Sequence, residues 1–557
     1  MKDPTSQYPI SLSRRNWLQR VSAPAMFTAG ASLLGVASFA STQQPSSTSP
    51  FPGWRSILDY GARGDGKTNN TAAIQHAIDD CHNNNGGVVL IPAGDFLCGT
   101  IELKSNVTLY LAVNCRLLGS PRREDYQAPD TIPPGNGNVV FIFAANAENV
   151  AITGSGTIDG DGIHFNTGKG DGTGPGGQKG GNMDRPHLAI FYRCNNVRVT
   201  DTFFTRSAYH CFRILECRYV HFTGIRIYNR VNRNNDGFHF NSSAHVRISD
   251  CDVACQDDAC ALFGSNQFVT VTNCSFSTRW SIFRFGGGEA KNITVTNCVI
   301  YDTYGCPVKI SAGKAKIENL LFSNIVMENV TGPIGIGFRA GAATDAYVRN
   351  ISFSHIRASV VALPVNHPDI PFDVKPFDGE QLSCITLNGA DGSYLENISF
   401  TDVHVTYAGG GSADLAGKTD IPQVAVEYFV VWGRPPFGPV AYGMYARNVK
   451  GLTLKDIRFT YRENDLRPAV VFDNVEDADV GGISIQSNTA SMAAFRIINS
   501  RDVLITGARL LGPATNFLRV EGRQSRNITV DGGDLSKAVQ PMVTADGAAT
   551  DAIKFRS

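Results

Sequence analysis

The feature that most constrains this chain is a repeat. Segments reading Asn, aliphatic, x, aliphatic, x, polar recur along most of its 557 residues. The first aliphatic of each copy falls at Val107, Val150, Val197, Val220, Val246, Val269, Ile293, Leu320, Ile351, Ile398, Leu452, Ala478, Val503 and Ile528. Where copies follow one another closely the spacing is 23 to 27 residues, a period that belongs to solenoids. Within each copy the aliphatics alternate, which is the period of a strand and not of a helix. Asn precedes the aliphatic at Asn106, Asn149, Asn196, Asn292, Asn319, Asn350, Asn397 and Asn527, and five residues after it Cys251, Cys274 and Cys298 fall in register. Both series predict ladders of like side chains. Each repeat is therefore expected to be one coil of short strands in a single right-handed parallel β-helix, an all-β fold.

In such a coil, residues one period apart sit on strands roughly 4.8 Å apart. Asp236, opening DGFHF, and Asp258, opening DACALF, are 22 residues apart, and Asp257 adjoins Asp258. The spacing predicts Asp236 and Asp258 on adjacent rungs of one sheet, with three carboxylates in mutual reach. A polysaccharide hydrolase needs one protonated carboxyl for the leaving oxygen and one ionised carboxylate for water. Like charges a few ångströms apart do not all ionise, so a trio raises one pKa by construction. Asn-Asp-Gly and Asp-Asp are also ordinary turn formers; the one-coil separation is what favours chemistry.

These residues carry a resemblance. NNDG followed by QDDACALF resembles the NTDG and GDD motifs of glycoside hydrolase family 28, the polygalacturonases and their relatives, which are parallel β-helices. Upstream, ILDYGARGDGKTNNTAAIQHAIDDC, GGVVLIPAGDF, LKSNVTLYL, GSGTIDGDG and RPHLAIFYRCNNVRV resemble the same family, so the similarity covers roughly residues 55 to 340. The resemblance implies Asp257 as general acid, with Asp236 and Asp258 holding and deprotonating the water, and inversion at the anomeric carbon. Adjacent rungs bring carboxylates nearer than the roughly 6.5 Å expected for inversion; on this point the family pattern is preferred. The resemblance also places Lys309, in PVKIS, where the family holds a substrate carboxylate. With Val308 and Ile310 inward, Lys309 points out of the sheet that carries the acids.

The chain departs from the family at three positions: Pro307 replaces the arginine of RIK, Arg279 stands at the histidine of GHG, and Phe263 at the lysine expected after GDD. If Phe283 and Phe285 face inward, Arg284 faces the groove and replaces part of the missing positive charge. Lys309, Arg279, Arg284 and His239 are the expected substrate contacts; no metal and no cofactor is expected. The leading reading is an inverting hydrolase of an acidic, pectin-like polysaccharide. A polysaccharide lyase or epimerase on the same scaffold, and a non-catalytic glycan-binding β-helix, stay open beside it.

The N-terminus reads as a targeting segment. Ser13-Arg14-Arg15-Asn16-Trp17-Leu18 resembles a twin-arginine signal, an apolar stretch runs from Ala23 to Ala40, and Ser38-Phe39-Ala40 offers small residues for cleavage. Residues 41–53 form a polar linker, and 54–557 are expected to be one β-helix domain, exported to the periplasm or beyond, and monomeric. The whole chain has formal charge +0, but residues 1–40 hold four basic residues and one acidic, which leaves 46 basic against 49 acidic, a net of about −3. That balance argues against a nucleic-acid partner, and no later apolar run approaches membrane-spanning length.

The 13 cysteines show no paired metal-ligand spacing. Buried ladder thiols are expected, with Cys251–Cys255 or Cys81–Cys98 bridges open in an exported protein. Ala73, Ile74, Ala77, Ile78 and Cys81 follow helical spacing behind an Asn70-Thr71 cap. That helix is expected to plug the first coil, since an open solenoid end exposes core and strand edges. Gly-rich residues 160–185 are expected to loop out beside the groove or as a plain insertion. Two further insertions cover 360–385 and 405–445, the latter with Tyr428, Phe429, Trp432 and Phe437.

Overall fold

The computed structural model describes residues 53–135, 137–165, 184–339, 341–362, 379–419, 421 and 439–556. The signal-type segment, nearly all of the linker, the centre of the Gly-rich stretch and the four aromatics Tyr428, Phe429, Trp432 and Phe437 lie outside the described residues.

The strands stack in parallel, each pairing with those one coil before and one coil after, as a right-handed parallel β-helix. The repeat is its register: Val150, Val197, Val220, Val246, Val269, Ile293 and Leu320 are successive backbone partners. The column continues through Ile351, Ile398, Leu452, Ala478, Val503 and Ile528. A further coil follows, with Ile553 opposite Ile528. Side-chain alternation explains the core: in Ala244–Ser249, Val246 and Ile248 are buried while Arg247 between them is exposed.

Each coil contributes to three sheets. The first contains Phe212–Leu215, Phe238–Asn241 and Cys260–Phe263; the second Arg218–Thr223, Ala244–Ser249 and Asn266–Thr272; the third Arg226–Asn229, Asp252–Cys255 and Ser275–Thr278. The asparagine ladder marks the entry to the second sheet, where the backbone is left-handed: φ is 55° at Asn149, 58° at Asn196, 59° at Asn292 and 58° at Asn319. Asparagine tolerates that conformation, and stacked amides bond along the axis, Asn149 to Asn106 at 2.8 Å and Asn196 to Asn149 at 2.8 Å. Three consecutive coils break the ladder. Tyr219, His245 and Phe268 hold the same position with φ of 56°, 57° and 57°, a conformation that costs most side chains about 1–2 kcal/mol each.

All 13 cysteines are free and buried. Neither bridge considered from the sequence forms; Cys251 lies instead against the next coil, its N–H donating to Cys274 Sγ at 3.5 Å. The capping helix spans Thr71–Asn83 and buries Ile74, Ala77, Ile78 and Cys81, with Ala73 partly buried against the same core. Its cap differs from expectation. The Asn70 side chain turns away, accepting from Arg63 N at 2.7 Å and donating to Thr68 O at 2.7 Å. Asn69 Oδ1 instead takes the Thr71 N–H at 3.0 Å, because Asn70 is needed to tie the preceding turn to the first coil.

Val269 is fully buried between Val246 and Ile293. Val269→Asp would bury an unpaired charge at a cost of several kcal/mol, and is expected to yield no soluble folded protein. Expression yield and thermal melting check this; a variant that melts like the parent contradicts the register.

Candidate active site

The first sheet sets the site. Phe238, Cys260, Phe283 and Val308 form one inward column, so the residues after them, His239, Ala261, Arg284 and Lys309, form one outward column on consecutive rungs. The acids sit where the chain turns from the third sheet into the first. Phe238 opposite Cys260 sets Asp236 beside Asp258, and Gly237 N donates to the Asp258 carbonyl at 3.0 Å. Glycine follows Asp236 for a steric reason: a Cβ at Gly237 would lie 2.5 Å from the Ala259 carbonyl oxygen.

The three carboxyls have different partners. Asp258 is clamped, accepting from Arg284 Nη1 at 3.0 Å and from the Ser281 N–H at 3.2 Å. Asp257 accepts from Asn234 Nδ2 at 3.1 Å and from the Asp258 N–H at 2.9 Å. Burial, then the Asp236 and Asp258 charges, push its pKa up to about 8, against the opposing pull of Arg284 and Lys309. Asp236 is raised as well, chiefly by burial and next by Asp258. Carboxyls this close titrate as a unit.

Asp236 Oδ2 lies 2.8 Å from His239 Nδ1 and 3.7 Å from His210 Nε2. Burial and Arg213 hold the His239 pKa down, to about 4, so the imidazole is neutral near pH 7. A single proton then serves the Nδ1–Oδ2 bond, on Nδ1 when Asp236 is ionised. One atom each from His210, Asp236 and His239 falls within 4.8 Å of the others, the donor set of a metal site. The two imidazoles, however, stack 4.4 Å apart and only 13° from parallel. Ring-nitrogen lone pairs lie in the ring planes, so near-parallel rings do not converge on one ion, and the geometry fits a hydrogen-bonded pile.

Other expected contacts divide. Arg284 faces out of the sheet as expected, and its guanidinium also lies 5.3 Å from the Phe263 ring centroid. Lys309 occupies the outward column next to Arg284 but is buried, and its charge acts on Asp257. Arg279 does not present its guanidinium to a groove. It is buried in an ion pair, with Nη2 at 2.7 Å from Glu380 Oε1, a partner that returns from the 360–385 insertion and was beyond any repeat-based reading. His210, Asn234 and Ser281 also contact the acids, beyond the residues expected from the sequence. The signal for His210 was present: the Phe212–Phe238 register puts it one rung before Asp236.

A carboxyl whose folded pKa is raised gives stability that is fully present below its unfolded pKa and is lost as pH rises through the folded value. For Asp257 that window runs from about 4 to about 8. Asp257→Asn is therefore expected to raise the melting temperature relative to the parent at pH 8 and much less at pH 4. An equal shift at both would show that Asp257 is ionised in the folded protein.

Comparison with known proteins agrees with this geometry. The profile of the glycosyl hydrolases family 28 matches residues 81–420. The chain is 26% identical over 347 residues to a probable polygalacturonase of Vitis vinifera, covering 58% of this chain and 65% of that protein. It is 25% identical over 378 residues to a probable polygalacturonase of Arabidopsis thaliana, covering 65% and 75%. In fold it is similar to the hyperthermoactive exopolygalacturonase of Thermotoga maritima, with TM-score 0.55, 19% identity, and 73% of this chain and 91% of that one covered. With the family profile spanning more than half of the sequence and a stacked β-helix carrying paired acids at the expected rungs, the chain belongs to the glycosyl hydrolases family 28.

Proposed function

We propose that this chain cleaves glycosidic bonds of an acidic, pectin-like polysaccharide by acid/base-assisted inversion. The observation that carries the reading is Asp257, a half-buried carboxyl held protonated to about pH 8 beside two further carboxyls on the same and the adjacent rung. Protonated Asp257 gives its proton to the glycosidic oxygen as that bond breaks. Asp236 and Asp258 orient a water, and Asp258, held by Arg284, accepts its proton as the new bond forms at the anomeric carbon. His239 holds Asp236 through Nδ1, and Arg284 holds Asp258. Arg284 and Lys309, next to each other on the outward column, supply the positive charge that a uronate carboxylate requires. The polygalacturonase names of the relatives favour a uronate over a neutral glycan.

Polygalacturonan, rhamnogalacturonan and a neutral glycan are the substrates to offer, following new reducing ends and ultraviolet absorbance together. Reducing ends without absorbance are expected on an acidic glycan. Turnover should fall at least about a hundredfold in Asp257→Asn, the lower range for a general acid, and in the parent should decline above about pH 8 as Asp257 loses its proton. Absorbance that chelation of calcium abolishes would make the protein a lyase. Affinity without cleavage, indifferent to Asp257→Asn, would leave a glycan-binding module. Lys309→Ala should weaken action on the acidic glycan and spare a neutral one.

Among the described residues no helix is long and apolar enough to cross a membrane. We further propose that residues 1–40 direct twin-arginine export and that 54–557 work outside the cytoplasm as a monomer. A reporter fused to residues 1–45 should leave the cytoplasm only with Arg14 and Arg15 intact; export at an unchanged rate after Arg14→Lys and Arg15→Lys removes that reading.

A further inference from the structure

The interruption of the asparagine ladder lies on the second sheet, away from the acid cluster. Before it, Asn106, Asn149 and Asn196 are linked amide to amide; after it, Asn292, Asn319, Asn350 and Asn397 are linked in the same way. Between them Tyr219, His245 and Phe268 stack instead. The ring centroids of Tyr219 and His245 are 4.8 Å apart at 12°, and those of His245 and Phe268 are 5.0 Å apart at 15°. These separations match the rung spacing, so the pile runs along the solenoid axis. Tyr219 is 47% exposed and Phe268 44%. Neighbouring coils show that asparagine meets the backbone requirement here, so the fold does not need three aromatics in a left-handed conformation at a solvent-exposed edge.

Beside the pile run two arginines with a histidine between them, whose pKa burial and the two guanidiniums hold below its ordinary value. Arg198, His221 and Arg247 are outward-facing register partners on consecutive rungs, and Arg198 and Arg247 are exposed. Neither arginine has an acidic partner among the described residues. Arg247 Nη1 donates to the carbonyls of Val246 and Phe268, and Arg198 Nε donates to Asn196 Oδ1 at 3.3 Å. The nearby Glu216 carboxylate is paired with Arg193 at 2.8 Å. On a mature chain of net charge about −3, this is a local basic strip.

On the other side of Phe268 the same sheet becomes concave. A groove of about 760 Å³ begins one rung on, lined near Phe268 by Asn292, Thr294, Asn319 and Leu321 and at its far end by Asp477 and Asp479. The outer face of Phe268 looks along the axis toward this groove. An aromatic face ending a trough of amides, hydroxyls and aliphatic side chains suits a sugar chain: C–H groups pack on the ring and hydroxyls bond to the amides.

We propose that the second sheet is an additional binding surface for a polyuronate chain laid along the solenoid axis, with Arg198 and Arg247 meeting carboxylates and Phe268 stacking on a sugar ring at the mouth of the Asn292–Ser352 groove. It takes its ligand class from the acidic-glycan reading of the acid cluster and is spatially separate from that cluster. Such a surface holds polymer near the catalytic groove without touching the bond that is cut, so it acts on long substrates and is silent on short ones.

The test uses the full mature protein and polygalacturonate of high degree of polymerisation, with trigalacturonate as the short substrate. In one variant Tyr219→Asn and Phe268→Asn extend each flanking asparagine ladder by one rung, so folding is retained and the melting temperature should not fall. In a second, Arg198→Ser and Arg247→Ser remove the cations. Both are expected to weaken retention on immobilised polygalacturonate about tenfold and to raise KM for the polymer, with trigalacturonate turnover unchanged, and added salt should weaken the parent but affect the arginine variant less. Polymer retention and KM unchanged in both variants would overturn the proposal. So would capture of the parent by phosphatidylglycerol vesicles, through these residues, with no retention on polygalacturonate. If the parent leaves trigalacturonate intact, short galacturonans are not its substrate, and the surface is judged on retention alone: loss in both variants upholds it, and no loss overturns it.

Discussion

The rung-to-rung backbone hydrogen bond is the constraint on which everything else in this molecule depends. Parallel pairing at one coil per repeat converts a distance of some two dozen residues in sequence into a single strand spacing in space. Once Val246 faces Val269 and Ile293, every other position in those coils is set as well. The cysteines stack, the asparagines meet in the left-handed turn, and Asp236 comes to rest beside Asp258. Three acids that the chain lists as one and then a pair become a cluster through nothing more than register.

Register brings the carboxyls together; burial makes them useful. Asp257 in water would be an ordinary carboxylate, but desolvation beside two other acids holds its proton to about pH 8. The price of that arrangement is limited by uneven compensation: Arg284 and Ser281 satisfy Asp258, His239 serves Asp236, and Asn234 reaches Asp257. The difference in partners sets Asp258, clamped by Arg284, apart from Asp257 and Asp236, which both hold their protons more tightly, in line with the general rule that neighbouring titratable groups pushed apart by environment take opposite roles.

The same scaffold accommodates departures from the family pattern. With Phe263 where a lysine is expected, the His239 ring stacks on it at 5.2 Å and the Arg284 guanidinium covers it at 5.3 Å. With Arg279 where a histidine is expected, the cation turns to Glu380 and pins an insertion against the coil. Positive charge at the site therefore comes from strands that succeed the acids on the outward column, Arg284 and then Lys309. The second sheet tells a parallel story, in which stacked rings substitute for linked amides at positions that keep the same backbone.

Much of this was legible from residues alone, because a solenoid is nearly one-dimensional: local alternation and a fixed period determine the coil, its inward column, the adjacency of Asp236 and Asp258 and the outward direction of Arg284 and Lys309. The capping helix was legible for the same reason, its apolar spacing being local. What escaped were contacts that no period encodes. Glu380 meets Arg279 across 101 residues, through an insertion whose path the repeat does not describe. Asn70 leaves the helix cap because its amide is taken by Arg63 and Thr68. Sequence by itself determined which side chains share a column, since hydrogen-bonded register follows from spacing; tertiary structure alone decided how deeply each is buried and whom it meets across the groove, since desolvation and pairing depend on segments that fold back from far along the chain.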